Sequence, residues 1–301
     1  MINGLINVYK EKGYTSFDVV ALMRGVAGQR KVGHTGTLDP DAEGVLPICL
    51  GSATKICDML TDKKKEYVAT FMLGKRTDTL DISGNVLEEK QPVASKESVI
   101  EAVLSFKGGY EQLPPMFSAK WVNGQRLYDL ARKGKEVERQ ASFVEIYDID
   151  VINVDYPSFT IRVSCGKGTY IRSLCEDIGK KVNEFAVMTS LKRTKVSVFS
   201  EEKSYTLSML SKLKEEGRLA EVVVDTDTLF PDYKKVTAKP EADKLVNNGN
   251  MMNLSVLDKE GYLKDGELVR AYNSQGEFKG IYRFVKNEGS VRPYKMFLGE
   301  E

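Results

Sequence analysis

Histidine occurs once in 301 residues, at His34. A single imidazole excludes metal sites built from several histidines and leaves any histidine chemistry resting on one side chain. The four cysteines (Cys49, Cys57, Cys165, Cys175) show no CxxC spacing. They support neither a zinc ribbon nor a disulfide framework in a chain this long, and fit a reduced, cytosolic protein. No apolar run approaches the roughly 18 residues of a membrane helix. The opening MINGLINVYKEKGYTS lacks the basic end and following apolar stretch expected of a secretory signal. Neither sign of charge is in excess, with 44 Lys plus Arg against 43 Asp plus Glu. Bulk charge therefore names no partner, and any binding patch must be local.

What is present is a globular chain. Hydrophobic residues make up 42% and charged residues 29%, enough to build a core and too much apolar content for disorder. At about 150 residues per domain, the length predicts two domains. Ser16 reads as an N-cap before FDVVALMRGVA, which puts Phe17, Val20, Met23 and Ala27 on one face. YVATFML at 67–73 alternates as a strand. Ser95 precedes a helical KESVIEAVLSF, and Asn123 to Lys133 reads as a short helix ending at Gly134. Residues 145–154 and 158–164 read as strands around Tyr156–Pro157, and Ile171, Leu174, Cys175, Ile178 and Val182 fall at helical spacing. The irregular order predicts an α+β fold with a mixed, largely antiparallel sheet, not a βαβ series. Past residue 228, short alternating runs and a hairpin (ELVRAY, NSQG, EFKGIYRFV) predict a small β-rich second domain, residues 229–301. Its 12 basic and 11 acidic residues exclude a bulk cationic arm.

The densest stretch is RKVGHTGTLDPDAEGVLPICLG, residues 30–51. Four glycines and two prolines bend it tightly, and His34, Asp39, Asp41 and Glu43 lie inside it. Read alone, it is a surface turn or a site built on a loop. Two carboxylates flanking a glycosidic bond would serve hydrolysis, and Asp39 with Asp41, Glu43, Asp78 or Asp81 offers such pairs on paper.

GHTGTLDPDAEGVLPI resembles the signature loop of the TruB family of tRNA pseudouridine-55 synthases. The resemblance continues through KKKEY (63–67), GKRTDTLDISG (74–84), LPPMFSAKWVNGQRLYDLARKG (113–134), CGKGTYIRSLCEDIG (165–179) and LKRTKVSVFS (191–200). It covers residues 4–200, and the tail from 229 is similar to the family's small PUA-like RNA-binding domain. Two positions depart from the pattern. Glu11 stands where proline usually follows the lysine of the opening motif, and Lys192 stands where arginine is common. The resemblance implies a pseudouridine-synthase catalytic domain over 1–228 with an RNA-contacting insertion at 113–143. It implies conversion of uridine 55 in the tRNA T loop, by base flipping, with no cofactor. The partner implied is the T stem-loop and elbow of tRNA, and the protein is expected to be a cytoplasmic monomer.

For single residues, the resemblance implies Asp39 as the essential carboxylate, Arg172 as its cationic partner and Tyr67 as a stacking and proton-handling ring. A lone buried carboxylate tends to protonate, so a partner such as Arg172 is physically required. Taken alone, Arg172 is an ordinary surface arginine, Tyr67 a half-buried strand tyrosine and Leu191 a core residue. The resemblance places Leu191 in the base pocket and His34 beside the flipped nucleotide. RNA affinity must come from phosphate contacts. Lys10, Lys167, Tyr170 and Arg193 are candidates, as are Lys120, Arg126 and Arg132, which interleave with Phe117, Trp121 and Tyr128. Residues 162–195 carry eight basic against three acidic side chains. The rival reading is a noncatalytic RNA-binding or tRNA-folding protein on the same fold.

Overall fold

The computed structural model describes residues 1–122 and 124–298. Its centre is the strand Lys65–Leu73, whose strict alternation buries Lys65, Tyr67, Ala69, Phe71 and Leu73 on one face. It pairs antiparallel with Ala186–Val196 on one side and Ser158–Cys165 on the other. The sheet continues outward to Glu43–Leu50 and Gly4–Lys10 at one edge and to Ile146–Asp155 at the other. One junction is parallel, where Lys192 and Arg193 face Glu43 and Gly44. The mixed, largely antiparallel sheet expected from the strand order is therefore present. Gly44 makes the parallel junction possible. Its φ is +109°, and a Cβ there would lie 2.3 Å from the Arg193 carbonyl oxygen.

Helices Lys96–Leu104 and Ile171–Lys181 cover the face that carries Tyr67, closing a core with Phe71, Phe159, Leu174 and Ile178. At the other end of the sheet, helices Ser16–Ala27 and Leu207–Glu215 pack Val19, Val20, Met23 and Leu210 against Ile6, Val8, Leu46 and Ile48. A six-stranded sheet forms the C-terminal part, in the order Met252–Asn253, Ser290–Met296, Phe278–Val285, Leu268–Tyr272, Lys234–Ala238, Leu257–Lys259. The expected hairpin is its third and fourth strands. This part does not hang free. Leu229, Phe230, Ile281 and Phe297 share one buried cluster with Leu5, Val45, Cys49 and Ile56. Cutting at residue 229 would uncover that cluster. No described helix is long and apolar enough to cross a membrane.

Three local expectations change. The first helix is capped by Thr15, not Ser16, in a capping box with Asp18. The spacing put Phe17 on the buried face, but the buried residues are Ser16, Val19, Val20 and Met23, and Phe17 is 63% exposed. The short helix of the insertion is Leu127–Arg132, preceded by the strand pair Trp121–Val122 and Gln125–Arg126. Asn123, its expected start, lies outside the described residues.

Candidate active site

The glycine-rich loop owes its shape to three side chains that the sequence does not mark as internal. Ser16 is buried, and its hydroxyl both donates to the Leu38 carbonyl (3.2 Å) and accepts from the Leu38 amide (2.9 Å). That bond welds the start of the first helix to the residue before Asp39. Lys10 is fully buried, and its ammonium donates to the carbonyls of Glu11, Tyr14 (2.7 Å) and Pro40 (3.2 Å). Arg193 is 1% exposed. It donates through Nε to Val45 O at 2.8 Å, through Nη2 to Gly36 O at 3.1 Å and through Nη1 to Thr37 O at 3.4 Å. Lys10 and Arg193 were expected to reach RNA. The structure instead places both inside the protein as clamps on the loop, where orphan carbonyls need charged donors. The backbone of Glu11 serves Lys10 directly, so the missing proline does not remove that tie.

Clamped in this way, the loop presents Asp39 to Arg172. Arg172 sits in the first turn of Ile171–Lys181 and is 7% exposed, not a surface arginine. Its Nε lies 3.0 Å from Asp39 Oδ2. Its remaining donors are fixed by Thr79 O (Nη1, 2.9 Å) and Phe117 O (Nη2, 2.8 Å). Asp81 stands on the far side, with Oδ2 3.7 Å from Nη1. The guanidinium thus ties together the loop, the 74–84 turn and the insertion. Burial by the surrounding protein raises the Asp39 carboxyl above the usual carboxylate range. Arg172 opposes this, Asp81 adds to it, and Lys10 opposes it more weakly. Asp39 itself keeps 41% of its side-chain exposure, so solvent and substrate can reach it.

Asp39, Asp41 and Ala42 line one wall of a narrow cleft. Asp81, Ile82 and Ser83, with residues 188–191 including Leu191, line the other. The cleft holds about 30 Å³, room for roughly one water. Backbone bonds from Ile82 N to Met188 O (2.9 Å) and from Met188 N to Leu80 O (3.1 Å) tie the two segments of this second wall together. Tyr67 is buried in the same apolar cluster as Leu38, Ala42 and Leu191. Burial raises its phenol, with Arg193 opposing. His34 is half-buried. Its Nδ1 accepts from the Gly36 amide at 3.2 Å, and its ring meets Phe17 edge to face at 5.5 Å. Burial, then the Arg193 charge, lowers its imidazole and favours the neutral ring.

The other expected RNA contacts scatter. Tyr170 is half-buried beside the site, its amide donating to Gln112 Oε1 at 2.7 Å. Lys167 is exposed and pairs with Asp62 at 3.0 Å. In the insertion, Arg126 lies over both Trp121 (5.4 Å) and Tyr128 (5.8 Å), and Arg132 lies over Tyr128 from 5.5 Å. Lys120 is half-buried. The basic excess of 162–195 is not one surface. Strand alternation, with a bulge between Arg193 and Lys195, sends Arg162, Lys192 and Lys195 to the opposite face of the sheet, around a 450 Å³ groove that also holds Glu66, Glu201 and Glu202. Lys180 is consumed by Glu176 (2.7 Å) and Asp177 (3.1 Å). Of the carboxylates that could pair with Asp39 on paper, Asp81 also approaches Arg172. It also builds the turn of its own segment, accepting from the Thr79 and Ser83 hydroxyls.

Residues 24–171 match the family model described as TruB family pseudouridylate synthase (N terminal domain), and residues 172–230 match tRNA pseudouridylate synthase B C-terminal domain. A protein named tRNA pseudouridine synthase B from Lachnoclostridium phytofermentans is 46% identical over 99% of this chain and 100% of its own length. One of the same name from Clostridium perfringens is 43% identical over 99% and 100%. Among solved structures, a chain of an H/ACA ribonucleoprotein bound to a substrate RNA containing 2′-deoxyuridine superposes with a TM-score of 0.74. It is 25% identical, over 98% of this chain and 84% of that one.

Proposed function

The chain belongs to the TruB family of pseudouridylate synthases, and from that premise we propose that it isomerises uridine 55 in the T loop of tRNA to pseudouridine, with Asp39 as the essential carboxylate. The observation that carries the role of Asp39 is its 3.0 Å contact with the buried Nε of Arg172, at the rim of a cleft walled by Leu191. A noncatalytic RNA binder has no use for an acid held by a buried guanidinium.

The reaction balances within the nucleotide. The N1–C1′ bond breaks and a C5–C1′ bond forms, while C5 gives up a proton and N1 gains one. The carboxylate can serve by attack at C1′, by addition to C6 or by taking the ribose 2′ proton, and each route needs it ionised. Arg172 supports that state against the burial that opposes it. The target base must leave its stack to reach Asp39. A cleft of about 30 Å³ cannot admit a uracil, so binding must part the Asp39 loop from the wall formed by 81–83 and 188–191. Tyr67 and Leu191 then become the floor and wall for the flipped base, and the neutral ring of His34 fills space beside it. Lys167, Arg126, Arg132 and Lys120 supply contacts to the RNA backbone and bases, and the six-stranded C-terminal part contacts the rest of the tRNA. The test is to incubate the protein with unmodified tRNA transcript and map pseudouridine at nucleotide resolution. Product at U55, absent from a U55→C transcript, is expected. Product at another uridine overturns the site assignment.

A further inference from the structure

Phe17 is a large apolar side chain with no apparent work in the fold. It is 63% exposed on the first turn of the helix Ser16–Ala27. The residues that bury this helix are Val19, Val20 and Met23, and its start is secured by the Thr15–Asp18 capping box. A single exposed apolar residue is ordinary. Two features set this one apart. Its position relative to the catalytic loop is fixed, because neighbouring Ser16 is bonded twice to Leu38 and Lys10 ties Tyr14 to Pro40. Its ring also meets His34, 5.5 Å between centroids and 88° between planes, and a T-shaped contact leaves much of the ring open to solvent. A rigidly placed aromatic ring, edge-on to His34 and one residue from the Ser16–Leu38 bond that borders Asp39, is a stacking platform beside the site.

We propose that Phe17 stacks on a T-loop base of the tRNA next to the target uridine, extending the His34 surface and holding the loop open while the uridine is flipped. The occupant follows from the chemistry: extruding one base unstacks its neighbour, and an unstacked base offers a π-face that an aromatic ring accepts whatever its sequence. This rests on the tRNA reading above. Phe17 is a positioning residue for RNA, remote from bond making.

The test compares Phe17→Ala, Phe17→Leu and Phe17→Trp in the full chain, with thermal unfolding as the control for folding. Binding to unmodified tRNA is measured in an Asp39→Asn background so that turnover does not blur the equilibrium. Stacking predicts that Ala and Leu each weaken binding by about five-fold or more and that Trp binds like Phe. It also predicts that a transcript abasic at one T-loop position binds the Phe and Ala forms with nearly equal affinity. Leu binding like Phe would show that only apolar bulk matters and would overturn the stacking. A loss that persists undiminished with every abasic T-loop transcript would overturn the partner. Wild-type enzyme is assayed separately for pseudouridine. If it forms product in the T loop while Leu binds like Phe, only the Phe17 inference fails. If it forms none, the tRNA reading fails.

Discussion

Replacing Arg172 separates geometry from charge at the site. Arg172 makes three fixed donations: to Asp39 at 3.0 Å, to Thr79 O at 2.9 Å and to Phe117 O at 2.8 Å. A lysine keeps the charge but brings one compact ammonium, which follows the carboxylates and abandons the two carbonyls. Hydrogen bonds from charged groups contribute about 1.5–3 kcal/mol each, so Arg172→Lys forfeits about 3 kcal/mol at the lower bound. Expressed wholly in the placement of Asp39, that is roughly 150-fold in rate. The Asp39 contact is left out of this sum because the carboxylate keeps 41% exposure and is screened. Arg172→Met removes the charge as well. Burial already raises the Asp39 carboxyl and Arg172 is the largest opposing influence, so its removal raises that carboxyl further. Activity that needs the ionised acid is lost as pH falls through its pKa, and the acid limb of the rate profile must therefore move to higher pH. The assay is single-turnover pseudouridine formation across pH, with binding to tRNA measured alongside. Lysine is expected to slow the reaction about 150-fold with the acid limb in place, and methionine to displace the limb upward. A lysine variant with at least a third of the wild-type rate, or a methionine variant with an unmoved limb, refutes the reasoning.

Three further outcomes follow from the same geometry. A carboxyl raised in the folded state holds its proton more tightly there than in the unfolded chain, so its ionisation costs stability as pH rises through the folded pKa. Asp39→Asn is therefore expected to unfold at or above the wild-type temperature at pH 7, and a clearly lower temperature by calorimetry contradicts this. Ser16→Ala strands the buried amide and carbonyl of Leu38; it should cost about 1–3 kcal/mol in urea unfolding and slow catalysis, and an unchanged midpoint would argue against the weld. Lys65 is buried with its ammonium on Thr61 O (2.6 Å) and Lys63 O (2.9 Å), and burial lowers it from 10.5 to about 8. Between those values the unfolded chain binds more protons, so stability should rise with pH, and Lys65→Met should flatten the rise in melting temperature. An identical pH slope in the variant would contradict it.

The framework was legible where patterning is strict. The alternation of residues 67–73 predicts a strand that is there, and the motifs from GHTGTLDP to LKRT locate the loop and helix that carry Asp39 and Arg172. What stayed hidden was the direction of charged side chains. Lys10 and Arg193 read as surface cations because lysine and arginine rarely bury, yet a glycine-rich loop full of unpaired carbonyls draws them inward. The basic excess in 162–195 read as one patch because counting ignores strand parity, which divides it between two faces. The Thr15–Asp18 spacing is a capping box, and the buried stripe of the helix runs through Ser16, Val19, Val20 and Met23, which leaves Phe17 in solvent. The approach of Asp81 to Arg172 joins residues ninety-one positions apart and had no local signal.

The central claim is that Asp39, held by Arg172, is the group on which isomerisation depends. The most direct measurement is a single-turnover assay of wild type and Asp39→Asn on unmodified tRNA, reading pseudouridine at position 55 and tRNA affinity in the same samples. The account predicts product with the wild type, none with Asp39→Asn, and similar affinity for both. Pseudouridine formed by Asp39→Asn at a rate near that of the wild type would contradict it.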